Sequence, residues 1–155
     1  MMRNLLLLFV VIAAMLFASA SAETGYMRLS VEGIGAVRGE ATAVGREGMI
    51  EVYGFSHEVL SPRDSVSGRA SGRRTYEPIV IRKRIDAASP LLARAFREKL
   101  KITSLTLDVP DPAASTSEQV YYTIQLENAT ITSIDVSSSE EEITFGYDKI
   151  HRLTR

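Results

Sequence analysis

From Tyr26 onward, apolar and polar positions alternate with a period of two. Met27, Leu29 and Val31 interleave with Arg28, Ser30 and Glu32; Leu105, Leu107 and Val109 interleave with Ser104, Thr106 and Asp108; Tyr122, Ile124 and Leu126 interleave with Thr123, Gln125 and Glu127. Side chains of a strand point alternately to its two faces, so this period predicts half-buried strands. Residues 49–59, 79–85, 129–136 and 143–153 are rich in β-branched and aromatic residues and predict further strands. Seven or so strands imply a sandwich or a barrel. One segment breaks the period. Ser89 and Pro90 read as an N-cap and first-turn pair, and Leu92, Ala95, Phe96 and Leu100 then recur at helical spacing. A single helix over residues 90–99 is expected, with an apolar stripe able to cover one open end or face of the sheets.

The first 22 residues read differently. Arg3 gives a positive end, residues 5–17 carry no charge, and Ala20, Ser21 and Ala22 supply the small residues a signal peptidase inspects. A bilayer span needs roughly 20 apolar residues, and this run breaks at Ala18 and Ser19. Residues 1–22 are therefore expected to be a cleaved signal peptide, and residues 23–155 the mature domain, secreted or periplasmic, without stable membrane insertion.

Composition then narrows the chemistry. There are 18 Lys and Arg against 19 Asp and Glu, and cleavage would remove one base and no acid. A near-neutral chain lacks the basic excess that phosphate neutralisation requires, so general nucleic-acid binding is not expected. The chain has no cysteine, which excludes disulfides, thiol catalysis and cysteine-ligated metal centres. Only His57 and His151 remain as imidazole bases, and neither accompanies a recognisable nucleophile motif. No enzymatic activity and no cofactor are expected.

Three polar features remain. Glu140, Glu141 and Glu142 lead straight into Ile143, Thr144 and Phe145, without the glycine-bent spacing of a calcium loop; they are expected to be a solvated strand entry rather than a metal site. Asn128, Ala129 and Thr130 fit a glycosylation sequon, expected where two strands meet. The loop at 60–78 carries Arg63, Arg69, Arg73 and Arg74 with two glycines and several hydroxyl residues. It exceeds the ~12–15 residues beyond which unstructured loops are usually functional or disordered. Arg82 and Arg84, with Lys83, extend this basic cluster. The two arginines alternate with Ile79, Ile81 and Ile85 and are expected to project away from the core. A second polar connector is expected at 110–117.

The order of several segments carries a resemblance. Ser71, Gly72, Arg73 and Arg74 are followed by Pro78, Ile79, Val80, Ile81, Arg82 and Lys83, then Asp86 and Ser89, Pro90, Leu91, Leu92. Further on come Tyr121 to Asn128 and Glu141 to Ile150. In this order and spacing the chain resembles the haemolysin-coregulated protein (Hcp) family, the tube protein of type VI secretion, from about Met27 to Ile150. The resemblance implies a mainly β fold: an Hcp-like β-barrel of two sheets with one flanking α-helix. It also implies a homohexameric ring, rings stacked into a hollow tube, and effector, spike and sheath components as partners. In that setting the loop bearing Arg63, Arg69, Arg73 and Arg74 is expected to be the ring-stacking contact. The leader allows an alternative: an exported Hcp-like structural or carrier protein acting independently of a type VI apparatus.

Overall fold

The computed structural model describes residues 24–111, 113 and 120–154. The expected signal peptide and most of the 110–117 connector lie outside the described residues. The chain forms β1 (Gly25–Val31), β2 (Gly35–Val37), β3 (Ile50–Val52), β4 (Gly54–Ser56), β5 (Val59–Leu60), β6 (Thr75–Tyr76), β7 (Ile79–Arg84), α1 (Ser89–Arg97), β8 (Ile102–Pro110), β9 (Val120–Ser137), β10 (Glu140–Gly146) and β11 (Lys149–Thr154).

β9 organises the fold. Its first half pairs with β8 on one edge and β11 on the other, while its second half pairs with β10. β8 pairs onward to β1, which takes β2 and β3; β10 pairs onward to β7, which takes β4. Two sheets thus share one strand of 18 residues. The alternation pattern splits this strand in two and reads β10 and β11 as one. The reason lies at Asn128, whose φ of 50° falls in the left-handed region that short polar side chains tolerate best. The bend there turns β9 from one sheet to the other without ending its ladders, whereas the facing strand breaks at Tyr147 and Asp148. The sequon is real in sequence but occupies this bend inside a strand.

Residues 50–56 link the far edges of the two sheets, β3 pairing with β1 and β4 with β7. The ladder is interrupted at Tyr53, so the sheets lean together rather than closing into a continuous barrel. The segment before β3 is tied down by close approach: a Cβ on Gly39 would lie 2.5 Å from the Met49 carbonyl oxygen, which no side chain can accept.

The core sits between the sheets and beneath the helix. Met27, Leu29, Val31, Leu105, Leu107, Ile124 and Leu126 are buried, as their alternation predicts, and so is Phe145. α1 buries Leu92 and Ala95 and packs on β9; Phe96, expected in the same stripe, remains exposed. The helix ends in a Schellman turn: Leu100 N–H donates to the Ala95 carbonyl and Lys99 N–H to the Phe96 carbonyl, with Lys99 left-handed. Its start differs from expectation. Ala88 is the N-cap, and the Ser89 hydroxyl serves another partner.

Candidate functional site

Residues 59–76 form a two-stranded hairpin, β5 against β6, that stands apart from the nine-stranded assembly. Beyond the stem a bridge joins Arg63 and Ala70, and the tip is folded by one carboxylate. Asp64 Oδ1 accepts from the backbone N–H groups of Val66 (3.0 Å) and Ser67 (2.7 Å) and from the Ser67 hydroxyl. The Ser67 amide is the main reason the Asp64 carboxyl is held below its ordinary value. Gly68, at φ 66°, completes the turn. Val66 at the tip is 94% exposed. The long 60–78 loop is therefore a projecting ordered hairpin. Arg63, Arg69, Arg73 and Arg74 all lie on it and are exposed. Among the described residues none of the four forms an ion pair; Arg63 donates only to the Gly68 carbonyl of the same turn.

The rest of the basic cluster behaves otherwise. Arg82 points outward, as expected, and its Nε donates to Glu142 Oε2 at 2.7 Å. Lys83 points inward. It follows Ile79 and Ile81 on the core face of β7 and is fully buried. Its ammonium donates to Glu141 Oε2 (2.9 Å), Ser89 Oγ (3.0 Å) and the Arg84 carbonyl (2.7 Å), and pairs with Asp86 at 2.8 Å. Ser89 donates in turn to Glu141 at 2.7 Å. The expectation of a solvated triple glutamate is corrected here. Glu141 faces the core opposite Lys83 in the β7–β10 register, because it shares the parity of Ile143 and Phe145. Glu140 lies beside Tyr53 and helps burial raise that phenol's pKa. Ile85, expected inward, is exposed because β7 ends at Arg84.

A second buried pair, absent from the sequence reading, fastens the 38–49 segment. Arg46 Nη1 donates to Asp108 Oδ2 at 2.7 Å, Thr123 donates to the other oxygen, and the guanidinium lies over the Tyr26 ring at 5.7 Å. Every buried side-chain nitrogen and oxygen among the described residues has a partner, so these clusters are satisfied structural ties.

The hairpin's root is held by side chains from distant elements. Glu77 N–H donates to the Glu58 carbonyl across the stem. His57, just before β5, meets Tyr147 from the β10–β11 corner, with 2.6 Å between Nε2 and the phenol oxygen. The Tyr147 hydroxyl donates to the Glu77 carbonyl at 2.9 Å. Arg152 of β11 approaches His57 Nδ1. His151, on the neighbouring position of β11, turns instead to Glu127. The two histidines are thus separate.

At the opposite end of β7 the surface is acidic. A cleft of about 480 Å³ there is lined by Glu40, Glu51, Tyr53, Arg84 and Asp86. Glu40 and Glu51 form no ion pair among the described residues. The arginine hairpin enters β7 at Ile79 and this cleft lies where β7 ends, about 20 Å away for a six-residue strand.

A mainly β chain of two sheets, one helix and a projecting hairpin defines a class of proteins, and comparison with known proteins gives its family. The family model described as "Type VI secretion system effector, Hcp" matches residues 26–152. The chain belongs to this Hcp family. It is 40% identical over 90 residues to the "Major exported protein" of Pseudomonas aeruginosa, a match covering 58% of this chain and 52% of that one. The chain thus spans about half the length of the curated relative it matches. Among solved structures it resembles the secreted protein Hcp3 from Pseudomonas aeruginosa, at 30% identity and a TM-score of 0.69, covering 84% of this chain and 91% of that one. It shares the fold of Hcp1 from the E. coli EAEC 042 pathovar, at 24% identity and a TM-score of 0.73, covering 86% and 99%.

Proposed function

We propose that this protein is an exported, non-enzymatic tube subunit of type VI secretion: a homohexameric ring that stacks on identical rings into a hollow conduit for effectors, with spike and sheath components as further partners. One observation carries the reading. Among the described residues the four hairpin arginines have no acid partner, and the acidic cleft lies at the other end of the same strand. Charges unsatisfied within a subunit and complementary at its two ends suit head-to-tail contact, in which one surface meets a different surface on the next copy. Arginine is fitted to this role because its planar fork pairs carboxylates bidentately. Phe55, opposite Ile81 on the edge strand β4 yet 39% exposed, adds an apolar surface suited to a neighbour. The names of the relatives, an exported and a secreted protein, support export of this chain.

Light scattering and electron microscopy of residues 23–155 test the proposal. Ring-sized particles that stack are expected in the wild type. Arg69→Glu, Arg73→Glu and Arg74→Glu together should leave rings intact and abolish stacks. A strictly monomeric protein at high concentration would remove the ring, and equal tube lengths in both proteins would remove the hairpin's role.

The leader favours a second reading, an exported Hcp-like structural or carrier protein that works independently of a type VI apparatus. N-terminal sequencing of protein recovered from periplasm and medium separates the two in part: a chain beginning at Glu23 establishes export through the leader. Loss of export on deleting the sheath gene would then exclude the independent route.

A further inference from the structure

The groups at the hairpin root have complementary hydrogen-bonding roles that fix every proton. A guanidinium can only donate, so His57 Nδ1 must accept from Arg152 and the ring proton must sit on Nε2. His57 Nε2–H therefore donates to the Tyr147 oxygen, and the Tyr147 hydroxyl donates to the Glu77 carbonyl. This chain of donors runs in one direction, from β11 through one stem of the hairpin and the β10–β11 corner to the other stem. It operates only while His57 is neutral.

We propose that His57, Tyr147 and Arg152 form an acid-sensitive latch that sets how the arginine hairpin is held against the body of the subunit. The proposal deepens the stacking function above, and it rests on the hairpin being the stacking element. Protonation would place an N–H on Nδ1 facing the Arg152 guanidinium, donor against donor and cation against cation. That contact must open, freeing the end of β11 from the hairpin stem, while the Tyr147 bond can persist. Partial burial and then Arg152 hold the His57 pKa below its ordinary value. For a histidine depressed on folding, the latch's stabilisation is fully present above the ordinary histidine range and is lost as pH falls through the lower folded value. Opening is therefore an acid-side event.

Other charges nearby do not reproduce this response. Glu77 accepts through its backbone carbonyl, and its carboxylate acts on Tyr147 in the same upward direction as burial. Tyr147 is raised further by burial and stays protonated throughout. Tyr76, Arg74, Asp148 and Lys149 line the adjoining cavity of about 570 Å³ with His151. Of these His151 is the other imidazole, and it faces Glu127, away from His57.

The test uses hydrogen exchange and histidine NMR titration on the purified protein in unstacked form. Amides at residues 57–60, 75–77 and 152–154 should exchange about tenfold faster at about pH 5 than at about pH 7.5, after correction for intrinsic rates. His57→Gln, neutral at all pH, should flatten that difference. His151→Gln should leave it unchanged. Arg152→Gln should raise the His57 titration point toward the ordinary value. A wild-type His57 titrating at or above its ordinary value, or pH-dependent exchange that survives His57→Gln, would overturn the latch. These readouts do not require stacking. A latch that opens as described in a protein whose tubes are equally long at both pH values would overturn the hairpin's stacking role instead.

Discussion

Cations lie at the C-terminal end of β7 and on the hairpin that precedes its N-terminal end, and the fold treats them in opposite ways. At its C-terminal end Lys83 is fully buried and touches two carboxylates, a hydroxyl and a carbonyl. Before its N-terminal end the hairpin displays Arg63, Arg69, Arg73 and Arg74 to solvent, none of them ion-paired among the described residues, since the one carboxylate at the tip, Asp64, is taken up by the Val66 and Ser67 amides. The Lys83 group ties β7, β10 and the start of α1 together. Its charge is spent inside the subunit. Removing one partner strands the others in the core, so its value is read as stability. The hairpin arginines are exposed and not ion-paired among the described residues, so under the proposed function their value is read only when another molecule supplies the carboxylates.

The largest break in this comparison comes from Lys83. Lys83→Met should destabilise by about 3–5 kcal/mol, because Glu141 and Asp86 are left as uncompensated charges. Adding Glu141→Leu should return part of that loss, since it removes the more buried of the two stranded carboxylates while Asp86 stays unpaired. Urea denaturation of the two single variants and the double variant measures the coupling, and a strictly additive result would show that the pair does not act as a unit. Next comes Leu126→Ala, expected to cost about 2–5 kcal/mol through the cavity it leaves. A neutral result there would mean that β9 is offset by one residue.

Why the sequence yields one end of β7 more readily than the other follows from residue type. Alternation gave the inward set of β1, β8 and β9 because those positions are aliphatic. Lys83 and Glu141 obey the same parity as Ile81 and Ile143, but their charge suggests solvent, and only the β7–β10 register reveals that they face each other. An inward-parity lysine and an inward-parity glutamate were the available signal. The hairpin arginines were legible since an exposed loop needs no partner to be recognised, though the short β5–β6 stem was not, being only two residues per strand. His57 lies 90 residues from Tyr147 and 95 from Arg152 across the root, and no local pattern joins it to them.

Asn128→Val should cost about 1–2 kcal/mol, because a β-branched residue resists the left-handed backbone that turns β9. Asn128→Gly should stay within about 0.5 kcal/mol, as relieved strain offsets added chain entropy. Thermal unfolding of both variants checks the order. An equal loss in the two would assign the cost to the asparagine side chain rather than to φ.

The smallest change in stability is expected where assembly responds most. Replacing Arg69, Arg73 and Arg74 together with Lys keeps every charge on an exposed hairpin, so unfolding should move by no more than about 0.5 kcal/mol. Yet an ammonium is a compact point charge and cannot present the two parallel N–H donors that grip a carboxylate. The lysine protein should form shorter stacks that dissolve at lower salt, because screening weakens simple charge attraction before it weakens directed pairs. Turbidity or electron microscopy across a salt series reads this directly. If both proteins stack to the same length and dissolve at the same ionic strength, the receiving surface reads charge alone, and geometry at the hairpin carries no part of the contact.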